Sequence, residues 1–192
     1  MSASGSSSVD LSIIIENLPI YLTGLKNTII LVSISLALGL LLAVPLAILR
    51  NYGSPLVQLP IRAFVYFFRG TPLLVQMFLV YYGFGQFDLL KESLLWSFFR
   101  EAYLCALFAF TLNTAAYTTE ILRGAIKATP HGEFVAARAA GMSRYLMVRR
   151  IILPSAFRRA LPAYSNEIIF MLHGSSLASV ITIVDITGAA RI

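Results

Sequence analysis

The sequence predicts an all-α, multi-span helical integral membrane protein, on three observations. Of its 192 residues, 58% are hydrophobic and 12% charged, with a mean hydropathy of +0.79. A soluble domain covers its surface with more charge than that. Charge-free stretches recur, between Lys26 and Arg50, over 70–87 and over 102–119, and crossing a bilayer takes ~20 helical residues. The basic residues gather in one central loop beside the apolar segments, as topology signals do.

Taken in order, residues 1–19 read as a Ser/Gly tail followed by a short interfacial helix, with Val9, Ile13 and Leu18 on its apolar stripe. No Lys or Arg precedes the first apolar segment, so a cleaved secretory leader is not expected. One transmembrane domain is expected over 20–192. Its first span lies between Lys26 and Arg50, with Gly39 and Pro45 inside it. The second covers about Leu56–Phe87 and is expected to kink at Gly70-Thr71-Pro72. A loop of mixed charge follows, where Trp96, Phe98 and Phe99 suit an interfacial belt. The third span runs about Ala102–Ile121. The fourth, 160–184, carries Pro162, Asn166, Glu167, His173 and Gly174-Ser175-Ser176. A helix with such groups faces protein or a cavity, not lipid.

From Arg123 to Arg159 there are eight basic residues against one acid, Glu133. That excess assigns this loop to the cytoplasm and the N-terminus to the outside. It also accounts for the net charge of +6 without nucleic acid as a partner. A single cysteine, Cys105, allows no internal disulfide or thiolate cluster. Neither a phosphate-binding Gly-Lys loop nor a hydrolytic triad or metal-ligand spacing occurs, so the chain is not expected to be an enzyme.

The central loop carries Ala136-Ala137, then Gly141, Ile151, Leu153 and Pro154. It resembles the E-A-A, three residues, G, nine residues, I-x-L-P loop of bacterial ABC importer membrane subunits. The stretches Phe68-Arg69-Gly70-Thr71-Pro72, Asn113-Thr114-Ala115-Ala116-Tyr117 and Ala163-Tyr164-Ser165-Asn166-Glu167 are similar to permeases for polar and basic amino acids, of the histidine/lysine-arginine-ornithine and octopine/nopaline type. Two departures stand out. Val135 occupies the motif's glutamate position, with Glu133 two residues early. The family also implies a fifth span, where four are read here.

The resemblance implies a permease subunit in the bacterial inner membrane, powered by a separate ATPase pair that binds the ATP, so that the chain itself needs no cofactor. It implies a second permease subunit, homologous or identical, a periplasmic solute-binding protein and an amino-acid substrate within the lipid bilayer. The loop at about 129–149 becomes the ATPase-coupling element, with Glu133, Ala136, Ala137, Gly141, Met142 and Ser143 as its residues. Small side chains keep its first helix slim, Gly141 permits a sharp turn, and Ser143 is placed to cap the second helix. Glu167 is the candidate substrate carboxylate, since a charge within a span needs a partner or a function and a basic amino acid supplies a counter-ion. Asn166, Tyr164, Ser175 and Ser176 are its candidate hydrogen-bonding neighbours. The alternative for Glu167 is a structural pair with an arginine. Glu120 and Arg123, three apart, are expected to pair. Arg69 is expected to cap or pair with the broken helix, with a lining role as the alternative, and His173 to be packed and hydrogen-bonded. The rival functions are an ion-gradient-driven transporter or channel, a scaffold, and the same fold carrying glutamine or an opine.

Overall fold

The computed structural model describes residues 18–93 and 96–177. The predicted N-terminal tail, most of the interfacial helix and the end of the fourth span lie outside these residues. Every regular element described is helical.

Helix α1 (Leu18–Tyr52) has 35 residues, about 52 Å of helix at 1.5 Å per residue. It starts earlier than predicted, taking in Leu18 and Pro19. Residues 22–52 are long and apolar enough to cross a membrane. Ser35, Gly39, Ala43 and Ala47 recur every fourth residue and are all buried. This stripe of small groups lets α1 press its backbone against α6 (Ala102–Lys127). A Cβ on Gly39 would collide with the Thr114 methyl and stand 3.3 Å from both Ala115 N and Thr111 O. The opposite face, with Leu22, Ile29 and Leu41, is exposed, as a lipid-facing surface is.

Helix α2 (Pro55–Gly70) starts with Ser54 and Pro55 at its head, where the missing proline N–H costs nothing. Ile61 and Val65 pack against Leu46 and Ala116. Thr71 is extended, at φ −109° and ψ 140°, as the residue before a proline prefers. Helix α3 (Leu73–Phe78) then departs at 108°. The interruption is therefore a corner, not the kink expected of one straight-running span. The chain continues through a π-helical turn (Leu79–Gly83) and a tight turn (Phe84–Gln86). The short helices α4 (Asp88–Lys91) and α5 (Trp96–Phe99) follow. Phe99, expected in an interfacial belt, packs edge-on against Phe84 and Phe108, with centroids 4.8 and 5.7 Å apart.

Helix α6 is the hub, flanked by α1, by α2 and by α9 (Leu153–Ser175). It runs past the predicted end at Ile121 and carries Glu120, Arg123 and Lys127 on its last turns. Because three helices cover it, α6 tolerates buried Thr111, Asn113, Thr114, Thr118 and Thr119 that a lipid-exposed helix would not. Apolarity alone therefore marks only α1, and the bent α2–α3 pair, as candidate spans among the described residues. At 26 and 23 residues, α6 and α9 have the length but turn polar groups inward.

Between them, α7 (His131–Ala139) and α8 (Arg144–Met147) form the hinge. A π-helical turn (Val148–Ile152) joins α8 to α9. Leu122, Ile126, Ala137, Met147, Ile152 and Ala156 make one apolar cluster at this end of the bundle. Leu31, Met77, Cys105, Phe110 and Met171 belong to another, nearer the α3 side.

Replacing Gly39 with leucine is expected to lower stability by about 1–3 kcal/mol, the range for overpacking a tight contact. Leu41→Ala, on the exposed face of the same helix, is expected to be near neutral. Thermal unfolding of the detergent-purified protein checks both.

Candidate functional sites

Two regions gather the predicted residues. The first is a cavity of about 730 Å³ bounded by the α2–α3 corner, α6 and α9. Its α9 wall carries Ala163, Asn166, Glu167, Phe170 and Gly174, residues that share a stripe at 3.6 residues per turn. Arg69, Thr71, Asn113 and Tyr117 face them.

Glu167 is 6% exposed. Among the described residues no basic side chain comes within the 4.0 Å of an ion pair with it. The Thr114 hydroxyl lies beside the carboxylate, and Arg69 is the basic group near enough to act on it through space. The structural arginine pair considered from sequence is thus not formed among the described residues. Arg69 does not cap the broken helix. Its guanidinium carbon stands 5.1 Å over the Tyr117 ring, a cation–π distance, and it lines the cavity.

The corner itself is held by a residue that sequence reasoning passed over. Pro72 has no N–H to give the Phe68 carbonyl, four residues back. Gln76 Nε2 fills the vacancy, donating to Phe68 O at 2.7 Å, Thr71 O at 2.9 Å and Thr71 Oγ1 at 2.8 Å. Asn113 Nδ2, on α6, donates to Gln76 Oε1 at 3.0 Å. Gln76 is only 2% exposed. The one available signal was a glutamine four residues after a proline in an otherwise apolar run.

Of the other predicted neighbours, only Asn166 lines the cavity with Glu167. The Tyr164 hydroxyl donates to Leu36 O at 3.3 Å, toward α1. Ser175 is buried and donates back to Leu172 O at 2.7 Å. Ser176, nine residues from Glu167, falls on the opposite helix face and donates to His173 O at 2.8 Å. These three do not join the cavity. His173 is hydrogen-bonded, with Nδ1 2.9 Å from Ile169 O, but is exposed rather than packed.

Glu120 pairs with Arg123 as expected, at 2.8 Å, and also with Arg50 of α1. Together with the small-residue stripe, this ties α1 to α6 at the basic end.

The second region is the hinge. Met142 N donates to Ala137 O at 3.1 Å and Gly141 N to Arg138 O at 2.9 Å. With Gly141 at φ +71°, these are the two bonds of a glycine-terminated helix end. Ser143 Oγ then accepts from Leu146 N at 3.4 Å and caps α8. Ala136, Ala139, Ala140 and Gly141 are exposed, whereas Ala137 is buried in this chain's own core. Ala137 therefore seats the hinge rather than facing a partner, because it lies on the α7 side turned toward Ile152 and Ala156.

Val135, at the motif's glutamate position, is 52% exposed. Glu133 points inward, accepts from Ser155 Oγ at 3.2 Å and lies 3.9 Å from Arg159. Arg159 also donates to Ala125 O at 3.2 Å, Ser155 Oγ at 2.6 Å and Thr129 Oγ1 at 2.7 Å. One α9 side chain thus joins the end of α6, the linker and α7. Nothing in the local sequence marks Arg159 among its basic neighbours.

Known proteins resemble this arrangement. Residues 35–191 match the family described as the binding-protein-dependent transport system inner membrane component. The nopaline transport system permease protein of Agrobacterium fabrum is 49% identical over 184 residues, covering 95% of this chain and 76% of the relative. The histidine/lysine/arginine/ornithine transport system permease protein of Salmonella typhimurium is 50% identical over 170 residues, covering 88% of this chain and 72% of the relative. The crystal structure of an amino acid ABC transporter with histidines superposes with a TM-score of 0.82 at 32% identity, over 96% of this chain and 82% of that one.

Gln76→Leu is expected to leave Phe68 O with only the longer 3.4 Å bond from Asn113 Nδ2 and to destabilise the protein by about 1–3 kcal/mol. Hydrogen exchange over 68–76, compared with wild type, checks that the loss is local to the corner.

Proposed function

Because the chain belongs to the family of binding-protein-dependent inner-membrane transport components, we propose that its cavity passes basic amino acids. The family is one of multi-pass permease subunits of ABC importers, which work with an ATPase and a solute-binding protein. Glu167 takes the cationic group of the substrate, and Arg69, on the facing wall, takes its carboxylate.

The observation that carries the reading is a buried carboxylate that has no ion-pair partner among the described residues and opens on a cavity. An uncompensated charge within a span costs about 2.5–3.5 kcal/mol on insertion scales, so its presence calls for a counter-ion that arrives. A lysine, arginine or histidine substrate is such an ion. The two relatives named above are transport-system permeases for nopaline and for histidine, lysine, arginine and ornithine. The basic cargo of the second favours that class here over glutamine.

The cavity is open on the side where Phe170 is 72% exposed. A second permease subunit, identical or homologous, would close it, and a pair of ATPase subunits would then dock below. The exposed hinge residues Ala136 and Gly141, with half-buried Met142, form the proposed docking surface. Glu133, Ala137 and Ser143 hold that surface in shape. Eight basic residues from Arg123 to Arg159 support a hinge on the cytoplasmic side and a start of α1 outside. ATP belongs to the partner, so the chain needs no cofactor of its own. A periplasmic solute-binding protein would deliver substrate to the outer face.

Two outcomes follow for the complex reconstituted with its ATPase in vesicles. Glu167→Gln is expected to reduce arginine uptake at least about tenfold, the loss of one charge-assisted contact, while hinge docking is unchanged. A panel of arginine, histidine, glutamine and an opine separates the cargo classes; undiminished arginine uptake overturns the site. Gly141→Val forces a branched residue to positive φ, costing about 1–2 kcal/mol. It is expected to uncouple ATP turnover from uptake, and intact coupled transport would remove the hinge from the mechanism.

A further inference from the structure

A recess of about 660 Å³ lies between the Arg50 end of α1 and the hinge, apart from the cavity of Glu167. Ile48, Phe134, Met147, Val148 and Leu153 give it an apolar floor. Arg138 ends α7, Arg144 begins α8 and Arg149 lies in the turn that follows, and all three stand at the rim.

The three guanidinium groups are exposed, and among the described residues none has an ion pair or side-chain hydrogen bond. The acids that could have served them are already taken. Glu120 is held by Arg50 and Arg123, and Glu133 by Ser155 and Arg159. Three unanswered positive charges thus border an oily pocket. Tyr52 and Tyr145, 48% and 71% exposed, stand beside them, and tyrosine marks the level where hydrocarbon meets water. From the recess, the exposed face of α1 continues as Leu49, Leu42, Leu41 and Leu38, a hydrocarbon track at helical spacing.

We propose that this recess seats one anionic phospholipid, its phosphate among Arg138, Arg144 and Arg149 and an acyl chain along α1. The assignment takes the hinge to face the cytoplasm, as proposed above, but is independent of the cargo. Charge complementarity selects an anion, and the apolar floor with its leucine track selects one carrying acyl chains over a free phosphate or an acidic protein segment. Each basic side chain near such a surface strengthens lipid attraction severalfold. Because the three arginines span α7, α8 and the following turn, the bound lipid would fasten the hinge to the first span and hold it in register for the ATPase.

The test uses the assembled transporter with its ATPase, reconstituted in phosphatidylcholine vesicles with and without phosphatidylglycerol. Native mass spectrometry after extraction counts the phosphatidylglycerol retained. R138Q/R144Q/R149Q is compared with K127Q/R150Q/R158Q, which removes the same charge from exposed positions outside the recess. V148W fills the floor without changing charge. The wild type and the control triple are expected to retain one phosphatidylglycerol. The recess triple and V148W are expected to retain it at least about tenfold more weakly. Equal loss in both triples would mean diffuse attraction and overturn the proposal, as would retention by V148W. Loss of the ATPase from the recess triple, with lipid retention unchanged, would make the recess a protein footprint and overturn it too. Lipid retention is read apart from uptake, so a failure of Glu167 as the cargo residue would leave this result standing.

Discussion

The close approach of α1 to α6 is the contact on which the rest depends. It exists because Ser35, Gly39, Ala43 and Ala47 remove bulk from one face of α1, so that backbone meets backbone where lipid offers no hydrophobic incentive for helices to associate. Thr114 sits in this contact against Gly39 and, on its other side, beside Glu167. The same tight seam that holds two helices together thus supports the wall of the proposed substrate cavity. The Glu120 bridge to Arg50 and Arg123 fixes the seam at its basic end.

A cavity also needs a chain that turns within the membrane layer, and turning exposes backbone. The corner at Gly70-Thr71-Pro72 would leave the Phe68 carbonyl without a donor in surroundings where water cannot replace it. Gln76 repairs this from the next helix and is itself held by Asn113 of α6. The broken helix is therefore not a loose joint. It is a satisfied polar knot anchored on the hub, which keeps Arg69 on the wall facing Glu167.

The hinge follows the same logic. Its turn is local, built from the positive φ of Gly141 and the cap at Ser143. Its attachment is not local. Ala137 enters the apolar cluster with Ile152 and Ala156, and Arg159 bonds to Ala125, Thr129 and Ser155. These contacts join α7 directly to α9, the helix that bears Glu167. The displaced acid of the motif fits this arrangement: Glu133 braces the inside, and Val135 is left outside.

Sequence by itself determined the features governed by short-range physics. Hydropathy and charge placement gave the membrane class and the sidedness expectation, since desolvation depends on composition. Glycine spacing gave the hinge turn, and an acid in an apolar run gave Glu167. Tertiary structure decided which faces meet. It placed Tyr164, Ser175 and Ser176 away from the cavity and brought Arg69 and Asn113 to it. It also gave Gln76 and Arg159 their roles, through contacts reaching 37 and 34 residues along the chain. The reason is geometric: a helix repeats every 3.6 residues whatever lies beside it, so its own sequence says which residues share a face but not what that face will touch.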